Sequence, residues 1–355
     1  MEIIDYRIEK LAVPCTPGIS DSHSTFDTAG ITYLELEADT GVIGIGLGSM
    51  DPNESTSRLR CRFESITDHL LGKSPFHLRN QLRLPDAGAY PGGFKRAVDF
   101  ALWDLCGKHL DMPVYELMGG EDPAVPGYAS GLAFEYDDNT TREVYEEFAD
   151  LGFEAAKVKV GYPTIEEDIE RLRLVHDVLG EDCLLAVDIN CTWSPKETMR
   201  RARAYRDVGL DVYWIEDPVT ESQLNGIKRV VDGVPTSLIN AGEYTNFDGK
   251  RELLAKEAVD MLNLRNGLLS ESLNAAAMGA SHGAKLHVGD AHGAIGVHVA
   301  AALPGKPFLE YWKRPWDLIT EDSIPVKDGS LIAPERPGHG VTIAEEAFEE
   351  YGVRE

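Results

Sequence analysis

The sequence predicts an α/β fold in which a parallel (β/α)-barrel follows an α+β region. The first observation is a series of eight short apolar runs, separated by helical stretches of ordinary length, between residues 123 and 310. The second is that residues 1–122 lack this alternation and combine strand patterns with an amphipathic helix. The third is that the chain after residue 310 returns to turns and short strands.

The N-terminal region contains three predicted strands and a predicted helix. Residues 1–10 alternate apolar and charged residues like a strand, residues 31–37 alternate as the next strand, and residues 42–48 form another with a glycine rhythm. Residues 16–30 between the first strands are polar and contain a Pro-Gly pair, so they predict a long loop that could act as a lid. Residues 97–109 predict a helix whose period is set by Ala97, Phe100, Ala101, Asp104 and Leu105.

The predicted barrel strands follow in order. They are residues 125–131, 155–160, 184–188, 212–216, 237–241, 261–264, 285–289 and 307–310. Amphipathic helices fill the intervals, and the one over residues 164–179 opens with Thr164 and Glu167 in a capping-box pattern. Gly119-Gly120 marks a boundary before the first barrel strand, and Asp328-Gly329 predicts a hairpin after the last.

The charge of the chain excludes two classes of partner. Asp and Glu number 60 against 34 Lys and Arg, which gives a net charge of −26. Such a surface repels nucleic acid and anionic membranes, so we expect neither as a partner. Because there is no long apolar run and no signal-peptide pattern at residues 1–10, we expect a cytoplasmic protein. Acids spread along a lysine-poor chain also predict a halophilic protein.

Three carboxylates follow successive barrel strands. Asp188 ends the third predicted strand, Glu216 ends the fourth, and Glu243 lies two residues beyond the fifth. They are 28 and 27 residues apart, about one βα unit, so they should converge at the C-terminal end of the barrel. Converging carboxylates repel one another unless a cation lies among them, and oxygen-only ligands favour Mg²⁺ or Mn²⁺. A capping or salt-bridging role is the alternative for each acid.

Two lysines precede this set in the second predicted strand. Lys157 and Lys159 are two residues apart, so their side chains point to the same side of the strand. The pKa of a lysine inside a barrel and beside a dication falls, and a neutral lysine is a competent base for a carbon acid. The second lysine can hold a substrate carboxylate. A simple ion pair with a barrel acid is the alternative, and it is stronger for Lys157.

Several motifs occur along the chain in an order that is specific as a combination. Those of the barrel are Lys157-Val158-Lys159, Val187-Asp188-Ile189-Asn190, Trp214-Ile215-Glu216-Asp217-Pro218 and Ala241-Gly242-Glu243. Those outside it are Ala101-Leu102-Trp103-Asp104-Leu105, Leu117-Met118-Gly119-Gly120 and Pro337-Gly338-His339-Gly340. Together they cover essentially the whole chain and resemble the enolase superfamily, in its mandelate racemase/muconate lactonizing enzyme branch.

The resemblance implies a TIM-like, enolase-type barrel over residues 123–310. It implies an N-terminal α+β capping domain over residues 1–122, completed by a C-terminal segment, residues 311–355, that returns to the cap. The metal ligands that it implies for Mg²⁺ are Asp188, Glu216 and Glu243, joined by oxygens of a substrate carboxylate.

The resemblance also implies the chemistry. Lys159 would exchange the proton on one face of the substrate α-carbon, with an enolate as the intermediate. Glu310 is similar to the family acid at the last strand, which hydrogen-bonds the substrate carboxylate; a strand-end acid with a local partner is the alternative.

The residues for the other face of the α-carbon depart from the family pattern. The family has a lysine at the sixth strand, or an Asp there paired with a His at the seventh, whereas the sixth strand here leads into Arg265. Arginine is a poor base, so Arg265 is a predicted contact to a polar or anionic part of the substrate. Asp290 and His292 are candidates for the second acid/base. His287 and His23 are candidate substrate contacts, with a buried strand histidine and a solvated loop histidine as the alternatives.

The predicted reaction is the Mg²⁺-dependent dehydration of a sugar acid to a 2-keto-3-deoxy acid. His287 and His292 could protonate a departing hydroxyl, and Arg265 suits a polar substrate. A racemase, an epimerase or a cycloisomerase is the alternative within the superfamily. From another class, the alternative is a barrel that binds metal and acid without turnover. The expected partners are a small-molecule carboxylate substrate and further copies of the chain in a homo-oligomer.

Overall fold

The computed structural model describes residues 1–20, 25–77, 93–265, 268–289, 295–312 and 315–353. It contains a closed parallel barrel and a separate antiparallel sheet, which confirms the predicted fold class. The antiparallel sheet has the order β1 (Ile3–Ser20), β2 (Thr25–Ala38), β3 (Ile43–Met50). Within the described ranges, no helix has the length and apolar character needed to cross a membrane.

The predicted long loop over residues 16–30 is wrong for most of its length. β1 and β2 continue through this region as an antiparallel pair, with Pro14 opposite Thr28 and Ser20 opposite Thr25. The first residues of β2 are exposed, so backbone pairing and not burial holds them, and their polar side chains gave no strand pattern. His23, which the prediction placed in this loop, lies outside the described residues.

Four helices of the N-terminal region are described, and the longest of them packs against the antiparallel sheet. They span Thr56–Glu64, Thr67–Leu70, Gly93–Leu110 and Val114–Leu117. The helix Gly93–Leu110 confirms the helix predicted over residues 97–109 and lies directly on β3. A Cβ atom at Gly46 would overlap the carbonyl oxygen of Ala97, so the glycine rhythm of β3 is a packing requirement.

The barrel has eight parallel strands, each ending within one residue of its prediction. They are β4 (Ala124–Ser130), β5 (Ala155–Lys159), β6 (Leu184–Asp188), β7 (Val212–Glu216), β8 (Leu238–Ala241), β9 (Met261–Asn263), β10 (Lys285–Val288) and β11 (Phe308–Tyr311). β11 pairs with β4, with Leu309 opposite Gly127, and this pairing closes the barrel.

Helices surround the barrel and bury one face against its strands. They span Asp138–Asp150, Ile165–Leu179, Pro195–Asp207, Leu224–Gly233, Phe247–Ala255, Leu269–Ser281 and Gly296–Ala302. The predicted capping box is confirmed, because the Thr164 side chain accepts from the Glu167 N–H and the Glu167 carboxylate accepts from the Thr164 N–H.

The chain after the barrel returns to the N-terminal sheet. Its elements are a 3₁₀ helix (Pro315–Leu318), β12 (Val326–Lys327), β13 (Ser330–Ile332) and a helix (Glu345–Glu350). β12 and β13 form the hairpin predicted from Asp328-Gly329. The Ala12 N–H donates to the Tyr351 carbonyl and the Val353 N–H donates to the Lys10 carbonyl, each over 2.9 Å. We propose on these contacts a division into a cap (1–122), a barrel (123–310) and a returning segment (311–355).

Buried hydrogen bonds join the cap to the barrel and to the returning segment, and we call the set Asp99, Asp104, His298 and His339 the cap–barrel seam. Asp104 accepts from the backbone N–H groups of Ile45 (2.8 Å) and His339 (2.9 Å). His298 accepts from the Tyr115 N–H at Nδ1 (3.1 Å) and donates from Nε2 to the His339 carbonyl (3.0 Å).

Asp99 joins the cap helix to the barrel helix Leu269–Ser281. Its carboxylate accepts from the Leu269 N–H over 2.6 Å and from the Ser270 hydroxyl over 2.8 Å. The first of these bonds satisfies a backbone donor in the first turn of the helix, a group with no partner within the helix itself. Burial raises the pKa of Asp99 to about 7.

Candidate active site

Strand register brings the predicted residues to one height around the barrel. Lys159 lies opposite Asp188 in the β5–β6 pair, and Asp188 lies opposite Glu216 in the β6–β7 pair. Glu216 in turn lies opposite Asn240, three residues before Glu243. All of these positions are at the C-terminal ends of the strands, as the spacing of the acids in the sequence predicts.

Lys157 lies among three carboxylates inside the barrel. Its Nζ is 3.0 Å from Oε1 of Glu216, 3.3 Å from Oδ2 of Asp188 and 2.9 Å from Oε1 of Glu310. The second oxygen of Glu216 accepts from the indole N–H of Trp214 over 3.1 Å. Lys157 therefore has the ion-pair contacts that were the alternative to a catalytic role, and Glu310 has a local partner.

The charges of this cluster shift one another's pKa values. Burial acts to lower the pKa of Lys157, but Glu216 and Glu310 outweigh it and raise that pKa well above its usual value. Burial raises the pKa of Glu216 to about 7 against the attraction of Lys157. Burial also acts on Asp188, but Lys159 and Lys157 outweigh it and hold that pKa below its usual range. The sequence predicts a lowered lysine pKa. That fall requires a bound dication, because its positive charge would oppose the rise in pKa that the carboxylates cause.

Lys159 lies at the rim of the same cluster. Its Nζ donates to Oδ2 of Asp188 over 2.6 Å and to Oδ1 of Asn190 over 2.8 Å. Asn190 donates in turn to the hydroxyl of Tyr244 over 2.9 Å. Both lysines contact Asp188, which confirms that they point to the same side of β5. Among the contacts described, Lys159 pairs with one carboxylate of the cluster, that of Asp188, whereas Lys157 pairs with three.

The carboxylates of this region fit a hard divalent cation. Asp188, Glu216 and Asp217 each place a carboxylate oxygen within 4.8 Å of the others, and all three are buried. Buried oxygen donors of like charge at this separation are the ligand set that Mg²⁺ prefers. Glu243, the third ligand implied by the resemblance, is buried and forms an ion pair with Arg265. The side chain of Arg265 is 21% exposed, which places it towards the mouth of the barrel.

The sequence did not single out Asp217 and Glu221. Both are buried and their carboxyl groups interact, so burial first and this repulsion second raise the pKa of Asp217 well above its usual value. Oε1 of Glu221 accepts from the N–H groups of Gly242 (2.7 Å) and Tyr244 (3.1 Å), on either side of Glu243. Asp217 could have been found from its position beside Glu216, whereas nothing in the spacing of Glu221 indicates its partners.

His287 lies inside the barrel and not at its mouth. It is fully buried on β10, and its ring stacks on Tyr128 with centroids 5.2 Å apart. Its Nε2 is 3.9 Å from Oε2 of Glu216. Burial lowers the pKa of His287 to about 3, so the ring is neutral near pH 7 and is a poor source of a proton. This position favours the buried strand histidine over the predicted substrate contact.

The candidates for the second acid/base fall outside the described residues. Asp290 and His292 follow β10 directly, but the described chain stops at residue 289 and resumes at residue 295. Asp290 and His292 therefore stay predictions, as does the substrate contact of His23.

Comparison with known proteins gives matches along the whole chain. Two family models match: the Mandelate racemase / muconate lactonizing enzyme, N-terminal domain, over residues 3–119, and the Enolase C-terminal domain-like family, over residues 140–347. The chain is 31% identical to arabinonate dehydratase of Saccharolobus solfataricus, covering 98% of this chain and 99% of that protein. It is 32% identical to 3,6-anhydro-alpha-L-galactonate cycloisomerase of Streptomyces coelicolor, covering 95% and 96%.

Solved structures agree with these matches. The crystal structure of a racemase from Streptomyces coelicolor A3(2) with bound magnesium is similar to this chain with a TM-score of 0.87. The two are 27% identical, and the similarity covers 99% of this chain and 100% of that one.

Proposed function

Because the chain belongs to the mandelate racemase/muconate lactonizing enzyme branch of the enolase superfamily, and is an enzyme of that superfamily, we propose that it dehydrates a sugar acid to a 2-keto-3-deoxy acid. The observation that carries the proposal is the position of Lys159, whose Nζ is 2.6 Å from Asp188 at the rim of the carboxylate cluster. A proton acceptor beside a cation-binding carboxylate set is the arrangement that removal of an α-proton requires. Similarity to arabinonate dehydratase supports dehydration as the outcome.

The proposed roles combine these contacts with the resemblance to the family. Asp188 and Glu216 would hold Mg²⁺ together with Glu243, the third ligand that the resemblance implies, and Mn²⁺ would substitute for Mg²⁺. Lys157 and Glu310 bind and orient the substrate carboxylate from inside the barrel. When bound, Mg²⁺ supplies the positive charge that stabilises the substrate carboxylate as it takes on enolate character.

The proposed dehydration involves two proton transfers by protein side chains. Lys159 takes the α-proton, which leaves an enolate on the substrate. The bond from the β-carbon to its hydroxyl oxygen then breaks, and the hydroxide leaves as water with a proton from an acid. His292 or Asp290 is the proposed acid, since the described His287 is neutral and buried. The resulting enol converts to the 2-keto acid, and Arg265 contacts the polar remainder of the substrate.

A cycloisomerase or an epimerase is the second candidate. The motivating observation is the 32% identity to a sugar-acid cycloisomerase over 95% of this chain, which is as high as the identity to the dehydratase. These reactions begin with the same removal of an α-proton and differ only in the groups that act after it. Lys159 and the metal ligands keep their roles in either case.

The deciding experiment is incubation of the enzyme with Mg²⁺ in high-salt D₂O against a library of sugar acids and amino-acid derivatives. Proton NMR reports deuterium at the α-carbon, and a keto-acid assay reports dehydration. A keto product from a sugar acid supports the dehydratase. Deuterium uptake without a keto product supports an epimerase or a racemase, and a ring-opened or lactone product supports a cycloisomerase. No exchange with any acid would leave the non-catalytic binding protein.

The net charge of −26 motivates a proposal about the conditions in which the enzyme works. We expect a halophilic, cytoplasmic homo-oligomer, whose acidic surfaces are screened by salt. Circular dichroism during dialysis from high to low salt tests the first part, and full retention of structure would contradict it. Light scattering in high salt tests the oligomer.

A further inference from the structure

Lys250 is a buried lysine outside the set of proposed catalytic residues. It lies on the helix Phe247–Ala255 and is only 4% exposed. Its ammonium donates to the backbone carbonyls of Gly242, Asn263 (2.8 Å) and Arg265 (3.3 Å). A lysine is rarely buried without a specific set of acceptors, and here the acceptors lie just after β8 and at or just after the end of the neighbouring strand β9.

The segment after β8 is also held from its other side. Glu221 accepts from the N–H groups of Gly242 and Tyr244, while Lys250 binds the Gly242 carbonyl. Glu243 lies between these anchored groups. Gly242 has a φ of +127° and a Cβ atom there would come within 2.7 Å of the Asn263 carbonyl oxygen, so only glycine allows this approach.

The segment after β9 shares the same ammonium. The Asn263 and Arg265 carbonyls both accept from Lys250, and the Asn263 side chain accepts from the Arg265 N–H over 2.9 Å. The Glu243 and Arg265 side chains form an ion pair across the two segments. One ammonium therefore binds the backbone that carries both partners of this pair.

We propose that Lys250 is a positioning residue that fixes Glu243 and Arg265 relative to each other at the C-terminal end of the barrel. The inference rests on the proposed function, because it takes Glu243 as a metal ligand and Arg265 as a substrate contact. An ammonium suits the task, since its three N–H donors match three carbonyls. Its removal would leave those carbonyls without a donor and would remove a positive charge that acts on the buried Glu221 carboxylate.

The test compares Lys250→Met with Lys256→Met, a change at an exposed lysine just beyond the same helix. The measurements are the Mg²⁺ dissociation constant of the full chain by calorimetry without substrate, the melting temperature, and kcat and KM. For Lys250→Met we expect the Mg²⁺ dissociation constant to rise about 10–100-fold, as is usual when a group that orients a metal ligand is removed. KM should also rise. Lys256→Met should leave each value unchanged.

A merely structural role would lower the melting temperature of Lys250→Met and leave the Mg²⁺ dissociation constant of the folded protein unchanged, and that result overturns the proposal. If this variant does not fold, Glu221→Gln decides, because glutamine keeps an acceptor for the two N–H groups but loses the charge. We then expect a rise of about tenfold, and an unchanged constant counts against the proposal. Absence of Mg²⁺ binding by the wild-type protein would instead sink the proposed function itself.

Discussion

Two buried polar clusters of this molecule differ in what their side chains bind. In the active-site cluster, Lys157 and Lys159 bind mainly the carboxylates of Asp188, Glu216 and Glu310. In the cap–barrel seam, the side chains of Asp99, Asp104, His298 and His339 bind mainly backbone N–H and carbonyl groups.

This difference distinguishes a cluster that can bind ligands from a cluster that holds parts of the fold together. Charges that compensate each other can exchange partners when a cation and a substrate carboxylate enter, because side chains can rotate. A backbone group that is held in a strand or helix cannot move to another partner, so the side chains of the cap–barrel seam keep one arrangement. Buried polar and charged side chains thus give an adaptable site in one place and a fixed contact in the other. The following changes test this division, beginning with the largest effect.

Lys159→Ala should have the largest effect on activity and little on stability. We expect α-proton exchange to fall about 10⁴-fold, because the proposed base is removed. Asp188 would remain paired with Lys157, at 3.3 Å, so the melting temperature should stay close to that of the wild type. Deuterium exchange by NMR measures the first and calorimetry the second. Lys196→Ala, at an exposed lysine, is the control, and retained exchange in Lys159→Ala would refute the role of Lys159.

Asp188→Asn should abolish Mg²⁺ binding while the fold persists. Neutral asparagine removes one charge from the set that attracts the cation. Calorimetric titration of this variant with Mg²⁺ should give no measurable binding. The control is Asp182→Asn, a change at an exposed acid shortly before the same strand, which should bind Mg²⁺ as the wild type does. A chelator should inactivate the wild-type enzyme and added Mg²⁺ should restore it. An enzyme indifferent to the chelator would rule out the metal.

Asp104→Ala should act on stability and leave Mg²⁺ binding alone. Two buried N–H groups, of Ile45 and His339, would lose their acceptor, at a cost of about 1–3 kcal/mol each. Urea unfolding should therefore give a free energy of unfolding lower by about 2–6 kcal/mol, against no change for the exposed Glu121→Ala. A weakened Mg²⁺ affinity in the folded variant would show that the two clusters are coupled.

Asp99 should contribute the smallest effect, a dependence of stability on pH. Burial raises its pKa to about 7, above the ordinary 3.8, so the folded protein holds a proton that the unfolded chain releases. The contribution of Asp99 to the free energy of unfolding is fully present below about pH 4 and is lost as the pH rises through 7. The loss between pH 6 and pH 8 is about 1 kcal/mol. Asp99→Asn stays neutral and should lose less stability over this range in urea titrations. If the free energies of unfolding of the two proteins changed with pH in parallel, Asp99 would not be the cause of the pH dependence.

The barrel and the active-site cluster could be predicted from the sequence because both follow from local spacing. Short apolar runs fixed each barrel strand to within one residue, and polar residues at the ends of those runs marked Asp188 and Glu216. Lys250 and Glu221 gave no such signal, since their partners are backbone groups of segments that the sequence does not connect to them. Asp104 shows an intermediate case: it lies among the apolar positions of its helix, which indicates burial but not the partner.

The return of the chain to its first strand affects the order in which the protein can be built. The N–H of Ala12 and the carbonyl of Lys10 bind Tyr351 and Val353, so this edge of β1 is completed by residues that are synthesised much later than β1 itself. Roughly 340 residues must be added between the two partners, which takes about 20–70 s on a ribosome working at about 5–20 residues per second. The barrel strands all emerge within that interval. This edge of β1 therefore stays uncovered in the nascent chain throughout that interval.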